Sequence, residues 1–168
     1  MRAVASATVA MLAAYYLVVA FDNVTNPASN WAFIQGVISG DGVPADSGFA
    51  WRFTEATWFQ VAVYVAVIAG EGVAGVLLAV GAVRGWRSRA EAGAWGESQV
   101  PTVVGAGLGL GVFFLGFITI GGNWWVMYLN DDWNGLTPAF QNSVMTVLTL
   151  LFVLGVAGVD RLAGSGGR

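Results

Sequence analysis

The sequence predicts an all-α membrane protein, a four-transmembrane-helix bundle with a short interfacial helix in the first outer loop. Two observations predict it. Of 168 residues, 57% are hydrophobic and only 10% charged, and the mean hydropathy of +0.69 lies far above that of a soluble domain. Four apolar runs reach the roughly 20 residues that a hydrocarbon core of about 30 Å requires of a helix. The whole chain, 1–168, reads as one such domain.

The first run, about 3–21, holds no charged side chain. Val18 and Ala20 make a passable signal-peptide cleavage site. The run is nevertheless longer than the usual h-region of roughly 7–15 residues, and its removal would leave an odd number of helices, so it is expected to stay. The first outer segment, which follows, carries Asn26-Pro27. That pair can start a short helix with Trp31, Ile34 and Ile38 on one face and Gly40 at its end. Its expected place is the interface, on the bundle or the headgroups. The second run, about 58–83, is expected to begin after Thr57, which has the Thr-x-x-Gln spacing of a capping box to Gln60. The third, about 101–120, is also free of charge and opens on Pro101, where the first turn of a helix tolerates proline. The fourth, about 138–159, opens on Thr137-Pro138, a capping Thr followed by Pro at the first helical position, and ends before Asp160 and Arg161.

Orientation follows from the arginines. Arg2, Arg84, Arg87, Arg89, Arg161 and Arg168 fall on one side of the spans, and Arg52 alone on the other. The excess of cationic residues marks the cytoplasmic face, so both termini are expected there, in the plasma membrane. The chain has no His, no Cys and no Lys. That excludes haem held by histidine, iron–sulfur clusters, thiolate zinc and imidazole general-base catalysis. No cofactor, no metal site and no catalytic residue is expected. A net charge of −3 with no basic surface argues against a nucleic-acid partner. The expected partners are the lipid bilayer and either another membrane protein or a second copy of the chain.

The outer side is unusual. It carries six of the eight tryptophans, Trp31, Trp51, Trp58, Trp124, Trp125 and Trp133, against Trp86 and Trp95 inside. An interfacial belt explains Trp58 and Trp124, but a symmetric belt would not be so lopsided. The two outer segments are therefore expected to fold on each other into an aromatic cap that includes Trp31, Trp51 and Trp58. Asp22, Asp41, Asp46, Glu55, Asp131 and Asp132 read as a solvated acidic surface, because none shows the spacing of a calcium loop. The Asn23-Val24-Thr25 sequon sits almost against the end of the first helix, where a glycan would meet the membrane.

Glu71 is the one charge inside a span, close to the middle of the second helix. A charge at mid-bilayer costs roughly 2.5–3.5 kcal/mol on insertion scales, which makes it the intramembrane ionisable candidate. Ala62, Ala66, Gly70 and Ala74 form a small-residue stripe beside it that should admit a neighbouring helix. No cation lies in any span. The expected partners of Glu71 are hydrogen bonds from Thr119, Asn123, Gln141, Thr146 or Thr149, an ordered water, or a proton. The functional reading is a proton-exchanging or cation-binding carboxylate, and the structural one is a neutral acid that fixes helix register. Gly105, Gly107, Gly109 and Gly111 do not have the spacing of a dinucleotide-binding loop and lie inside a span. Gly105 with Gly109, and Gly107 with Gly111, are instead small-xxx-small packing pairs.

The stretch Gly121-Gly122-Asn123-Trp124-Trp125, with Met127, Trp133-Asn134-Gly135 and Ala139-Phe140-Gln141, resembles the signature of predicted small integral membrane proteins grouped as domain of unknown function 2165. Asn30 to Asp41 resembles that family's first outer segment, and Trp51, Tyr64, Glu71 and Gly81 match residues of its second helix. The resemblance implies four helices with cytoplasmic termini, and it brings no established activity with it. Where the family has Glu after the two glycines and Arg after Ala-Phe, this chain has Asn123 and Gln141. Exchanging both charges for amides would retain a hydrogen bond, so that position reads as structural. The family's first-loop His is Gly36 here, so metal or proton chemistry at that position is not general.

The function expected from these residues is non-enzymatic: a structural, accessory or interaction protein. The alternative is a small transporter or channel component that uses Glu71 as a proton or cation site. With one intramembrane ionisable group, no proline-broken helix and no clear repeat, a full transport pathway would call for oligomers.

Overall fold

The computed structural model describes residues 1–165; Arg168, assigned above to the inner side, lies outside the described residues. The helices are α1 (Arg2–Thr25), α2 (Pro27–Ser39), α3 (Thr57–Ser88), α4 (Ala92–Ser98), α5 (Val100–Leu110, continued over Gly111–Trp124 as a π-helix) and α6 (Leu136–Ser165). Four stretches are long and apolar enough to cross a membrane: Arg2–Thr25, Thr57–Ser88, Ala92–Trp124 and Leu136–Gly164. Only 22–39% of the residues in their apolar windows are buried within the chain, so most of their Val, Leu and Phe side chains face outward. Lipid tails are as apolar as leucine, and such faces are at home there.

One apolar core joins the spans. Ala5, Val9 and Tyr16 of α1, Ala74 and Leu78 of α3, Ala106 of α5 and Val153 of α6 are buried in it. The α1 and α3 helices run antiparallel, with Gly75 opposite Leu17 and Gly85 opposite Ser6. At one end of the bundle Arg2 forms a bidentate pair with Asp160 of α6, at 2.7 and 3.1 Å, and also donates to the carbonyls of Arg89 and Ala90. Trp95 of α4 is fully buried beside it and donates to Ser6 Oγ at 3.1 Å.

Two helix starts differ from expectation. Thr57 makes no cap; Gln60 is buried and reaches back to the Thr54 carbonyl at 3.1 Å, while Thr54 Oγ1 accepts from the Ala56 amide. The α6 helix begins before Thr137-Pro138, and Asn134 Oδ1 accepts from the Leu136 amide at 3.1 Å. In both places a polar residue upstream of the expected cap reaches the first turn.

The α2 helix packs along α3. The Trp31 ring meets the Tyr64 ring edge-on at 5.7 Å, Gln35 approaches Gln60 at 3.5 Å, and the Thr54 amide donates to the Ile38 carbonyl at 3.0 Å. Because Asn23 lies against Glu71 and Leu17 against Gly75, α1 and α2 form one broken line antiparallel to α3. The break is at Asn26-Pro27, where Asn26 leaves helical dihedrals with φ −126° and ψ 63°. The helix that Asn26-Pro27 was expected to start is α2, which ends at Gly40 in the left-handed conformation; what differs is that α1 runs on past residue 21 to Thr25, so that the two helices abut at Pro27.

Candidate functional site

The break in the α1–α2 line falls at Glu71. Proline has no amide hydrogen, so Pro27 leaves the Asn23 carbonyl, four residues earlier, without its helical donor. Tyr64 of α3 takes that role and donates its hydroxyl to Asn23 O at 2.7 Å. The Asn23 side chain is buried and points at α3, where its Nδ2 donates to Glu71 Oε2 at 2.6 Å. Its Oδ1 accepts from Asn30 Nδ2 of α2. Engaged at both ends, this amide is no glycan acceptor in the folded chain.

Glu71 is only 2% exposed, and among the described residues Asn23 is its one hydrogen-bond donor, at Oε2. The carboxylate borders a cavity of about 140 Å³ whose polar wall is Asn23, Asn30, Tyr64, Glu71 and Asn142. Phe33, Ile34, Phe113 and Phe117 are among its apolar wall. Tyr15 donates to Asn142 Oδ1 at 2.6 Å and fixes that amide, and Tyr16 pairs with Thr146 at 2.9 Å. No arginine lines the cavity. Next to Glu71 along α3, in the direction of Arg84, come Ala74 and Leu78, both buried in the apolar core with Tyr16. The polar site is thus a blind pocket below α2. It can hold a proton, or a small donor or cation, against Glu71 Oε1.

None of the five side chains expected to satisfy Glu71 does so. Thr119 and Asn123 donate to Phe114 O at 2.9 Å and Ile118 O at 3.2 Å within their own π-helical stretch, five residues back. Thr146 is taken by Tyr16, Gln141 is exposed, and Thr149 is buried without reaching Glu71. The stripe also divides. Ala74 is buried and a Cβ on Gly70 would lie 2.6 Å from Val112, but Ala62 and Ala66 are exposed because α2 packs on the opposite side of α3. In α5, Gly105 faces Ala74 and Leu78 and Gly109 faces Tyr16, whereas Gly107 and Gly111 face open space.

The two outer segments meet. Asn130 donates to the Asp41 carbonyl, and Trp133 Nε1 to the Asp41 carboxylate at 3.4 Å. Trp133 covers Gly36, where a Cβ would fall 2.5 Å from the indole Cδ1. Trp51 and Trp124 pack edge-on at 5.6 Å. The Arg52 guanidinium lies 4.6, 5.1 and 5.3 Å from the ring centres of Phe49, Trp51 and Trp124, and it donates to the Asn123 carbonyl at 3.2 Å. Of the three tryptophans assigned to the cap, Trp51 lies in this contact, Trp31 packs on Tyr64, and Trp58 is 75% exposed beside Phe59.

The remaining motif residues are spread around the same end. Gly121 and Gly122 are buried, Trp125 packs on Phe59 at 6.0 Å, Gly135 lies against Phe33, and Phe140 is exposed. Asn123 and Gln141 do not bond to each other among the described residues, since Asn123 turns back onto its own helix. Asn23, Asn30, Tyr64 and Asn142 were not singled out as a site from sequence. Pro27 four residues after Asn23 is the one local signal that could have found them.

A helical bundle with four membrane-length apolar stretches defines a small integral membrane protein. The chain belongs to the family described as predicted small integral membrane protein (DUF2165), whose profile matches residues 1–155. No curated protein and no solved structure matches it.

Proposed function

We propose that this is a non-enzymatic accessory protein of the plasma membrane that acts by binding at the Glu71 pocket, with both termini in the cytoplasm and α2 at the outer boundary. One observation carries the reading: the buried carboxylate lies in the polar wall of a cavity of about 140 Å³ that is otherwise apolar and is backed by apolar core. Asn23 stands twenty-one residues along α1 from Arg2, and Glu71 thirteen along α3 from Arg84. At about 1.5 Å per residue the pocket lies about 20 to 31 Å from the arginine level, against about 30 Å for a whole hydrocarbon core. That depth supports a site reached from the outer half of the bilayer. The absence of His, Cys and Lys supports a binding role over catalysis. The aromatic cap, with Trp51 and Trp58 exposed, offers a membrane-protein partner or a second copy an apolar surface.

The transporter reading is favoured by the proline break beside an intramembrane carboxylate, a feature of substrate sites in secondary transporters. Ion flux in proteoliposomes separates the two. The expected result is no proton or cation flux above that of empty vesicles, and a flux that Glu71→Gln abolishes would overturn the binding-only reading. Reporters fused to each end test the topology, with both expected in the cytoplasm.

A further inference from the structure

The Glu71 pocket does not stand alone. Beside it, between α2, α3 and the π-helical stretch, lies a second cavity of about 350 Å³ whose lining includes Phe59, Val63, Ile120 and Trp125. The two share Phe33, Ile34, Val67 and Phe117 as a common wall. Ile120 is also partly exposed at the surface of the bundle, which gives the apolar cavity a side open to the bilayer. A polar chamber with one carboxylate therefore adjoins an apolar chamber with none.

We propose that the two chambers form one site for a single-chain amphiphile with a small ammonium head, the head on Glu71 and the chain in the apolar groove. This rests on the binding reading of Glu71 and names its ligand class. The head follows from the unused groups. Among the described residues Glu71 takes one hydrogen bond, from Asn23 at Oε2, which leaves Oε1 to accept from a ligand, and no arginine lines the chamber. A primary ammonium supplies both, whereas a carboxylate or phosphate head would meet a like charge. The chain follows from size and polarity. An apolar cavity of about 150 Å³ admits benzene, so the groove has room for on the order of a dozen carbon atoms.

The test uses the full chain in phosphatidylcholine nanodiscs, with dodecylamine carrying a diazirine in its chain as the photoprobe. Saturable labelling is expected on α3 around Val63 and Val67 and on the facing stretch around Phe117 and Ile120. Unlabelled dodecylamine should compete at least tenfold better than dodecanol, a comparison that needs no variant. Glu71→Gln should lower the labelling at least tenfold, and so should Val67→Phe, which fills the common wall, in protein that remains monodisperse. Labelling spread evenly over the outward faces of all four spans, unchanged by either variant, would overturn the proposal.

A second readout separates its failure from that of the binding reading. Esterification of Glu71 by an apolar aryl diazoacetamide, which alkylates carboxyls with loss of dinitrogen and leaves amines untouched, should be slowed by dodecylamine far more than by butylamine. Equal protection by both amines would leave Glu71 a binding site and remove the chain from it. Absence of protection by either would remove both.

Discussion

Tyr64 donates its hydroxyl to the backbone carbonyl of Asn23 at 2.7 Å, on the turn that Pro27 deprives of its amide donor. In a bilayer an unpaired carbonyl costs several kcal/mol, so proline survives in such helices only where a neighbour re-satisfies the freed group. Glu71, two turns further along the same face of α3, takes the Asn23 side chain. Asn23 thus links the two: its backbone carbonyl takes the Tyr64 hydroxyl, and its side chain serves the buried acid two turns along α3.

Tyr64→Phe should lower stability by about 1 kcal/mol, within the usual net worth of about 0.5–1.5 kcal/mol for one hydrogen bond. Pro27→Ala restores an amide donor for the same carbonyl. In the double variant the Tyr64→Phe penalty should therefore shrink by more than half, a coupling that a thermodynamic cycle detects. Reversible unfolding in mixed micelles is the measurement. Additive effects would mean that the hydroxyl does not replace the missing amide.

Glu71→Gln retains an acceptor for Asn23 Nδ2 and should cost no more than about 1 kcal/mol. Glu71→Leu leaves that buried donor unpaired and should cost about 1–3 kcal/mol in the same assay. The ordering is the test. A Leu variant as stable as the Gln variant would show that the 2.6 Å bond does not hold α1 on α3.

What the sequence made legible is what depends on length and composition. The four spans are visible because hydrocarbon thickness sets a minimum apolar run, and Glu71 because a lone charge in such a run stands out. Its partner was hidden. Which side chain meets Glu71 depends on the antiparallel register of α1 against α3; Pro27 marks the Asn23 carbonyl as needing a partner but does not say which helix supplies it. The expected bonds from Thr119 and Asn123 to Glu71 failed for another reason: the stretch Gly111–Trp124 winds as a π-helix, and both side chains turn back to carbonyls five residues earlier. The tryptophans announced an aromatic outer end, and Trp51, Trp124 and Trp133 do join its halves, but their partners Arg52, Asp41 and Asn130 are ordinary polar residues of a loop.

Arg52 offers a way to open that end. Its guanidinium lies within 5.3 Å of three ring centres and bonds to the start of the second outer segment. Cation–π contacts contribute about 0.5–1 kcal/mol each at exposed sites and about 2 when desolvated. Arg52→Ala should cost about 2 kcal/mol and increase the iodide quenching of Trp124, which is 47% exposed with Arg52 in place. Arg52→Lys, lacking the planar guanidinium that stacks on rings, should recover only part of this. Unchanged quenching in Arg52→Ala would mean that the Trp51–Trp124 contact holds without the cation.

Two glycines of α5, half a turn apart, should respond to the same substitution with opposite sign. A methyl at Gly109 would collide with the hydroxyl end of Tyr16, 2.6 Å from Cζ, and Tyr16 is held by Thr146 and the surrounding core. The ring cannot swing aside without breaking that bond, so Gly109→Ala should destabilise by about 1–3 kcal/mol, the usual cost of overpacking. At Gly107 the added methyl meets nothing within 4 Å. There the reduced backbone freedom of alanine in the unfolded chain acts alone, and Gly107→Ala should stabilise by roughly 0.5–1 kcal/mol. Both variants change hydropathy by the same amount, so membrane partition cancels in the comparison. Unfolding midpoints that move in the same direction would contradict the placement of Tyr16 against α5.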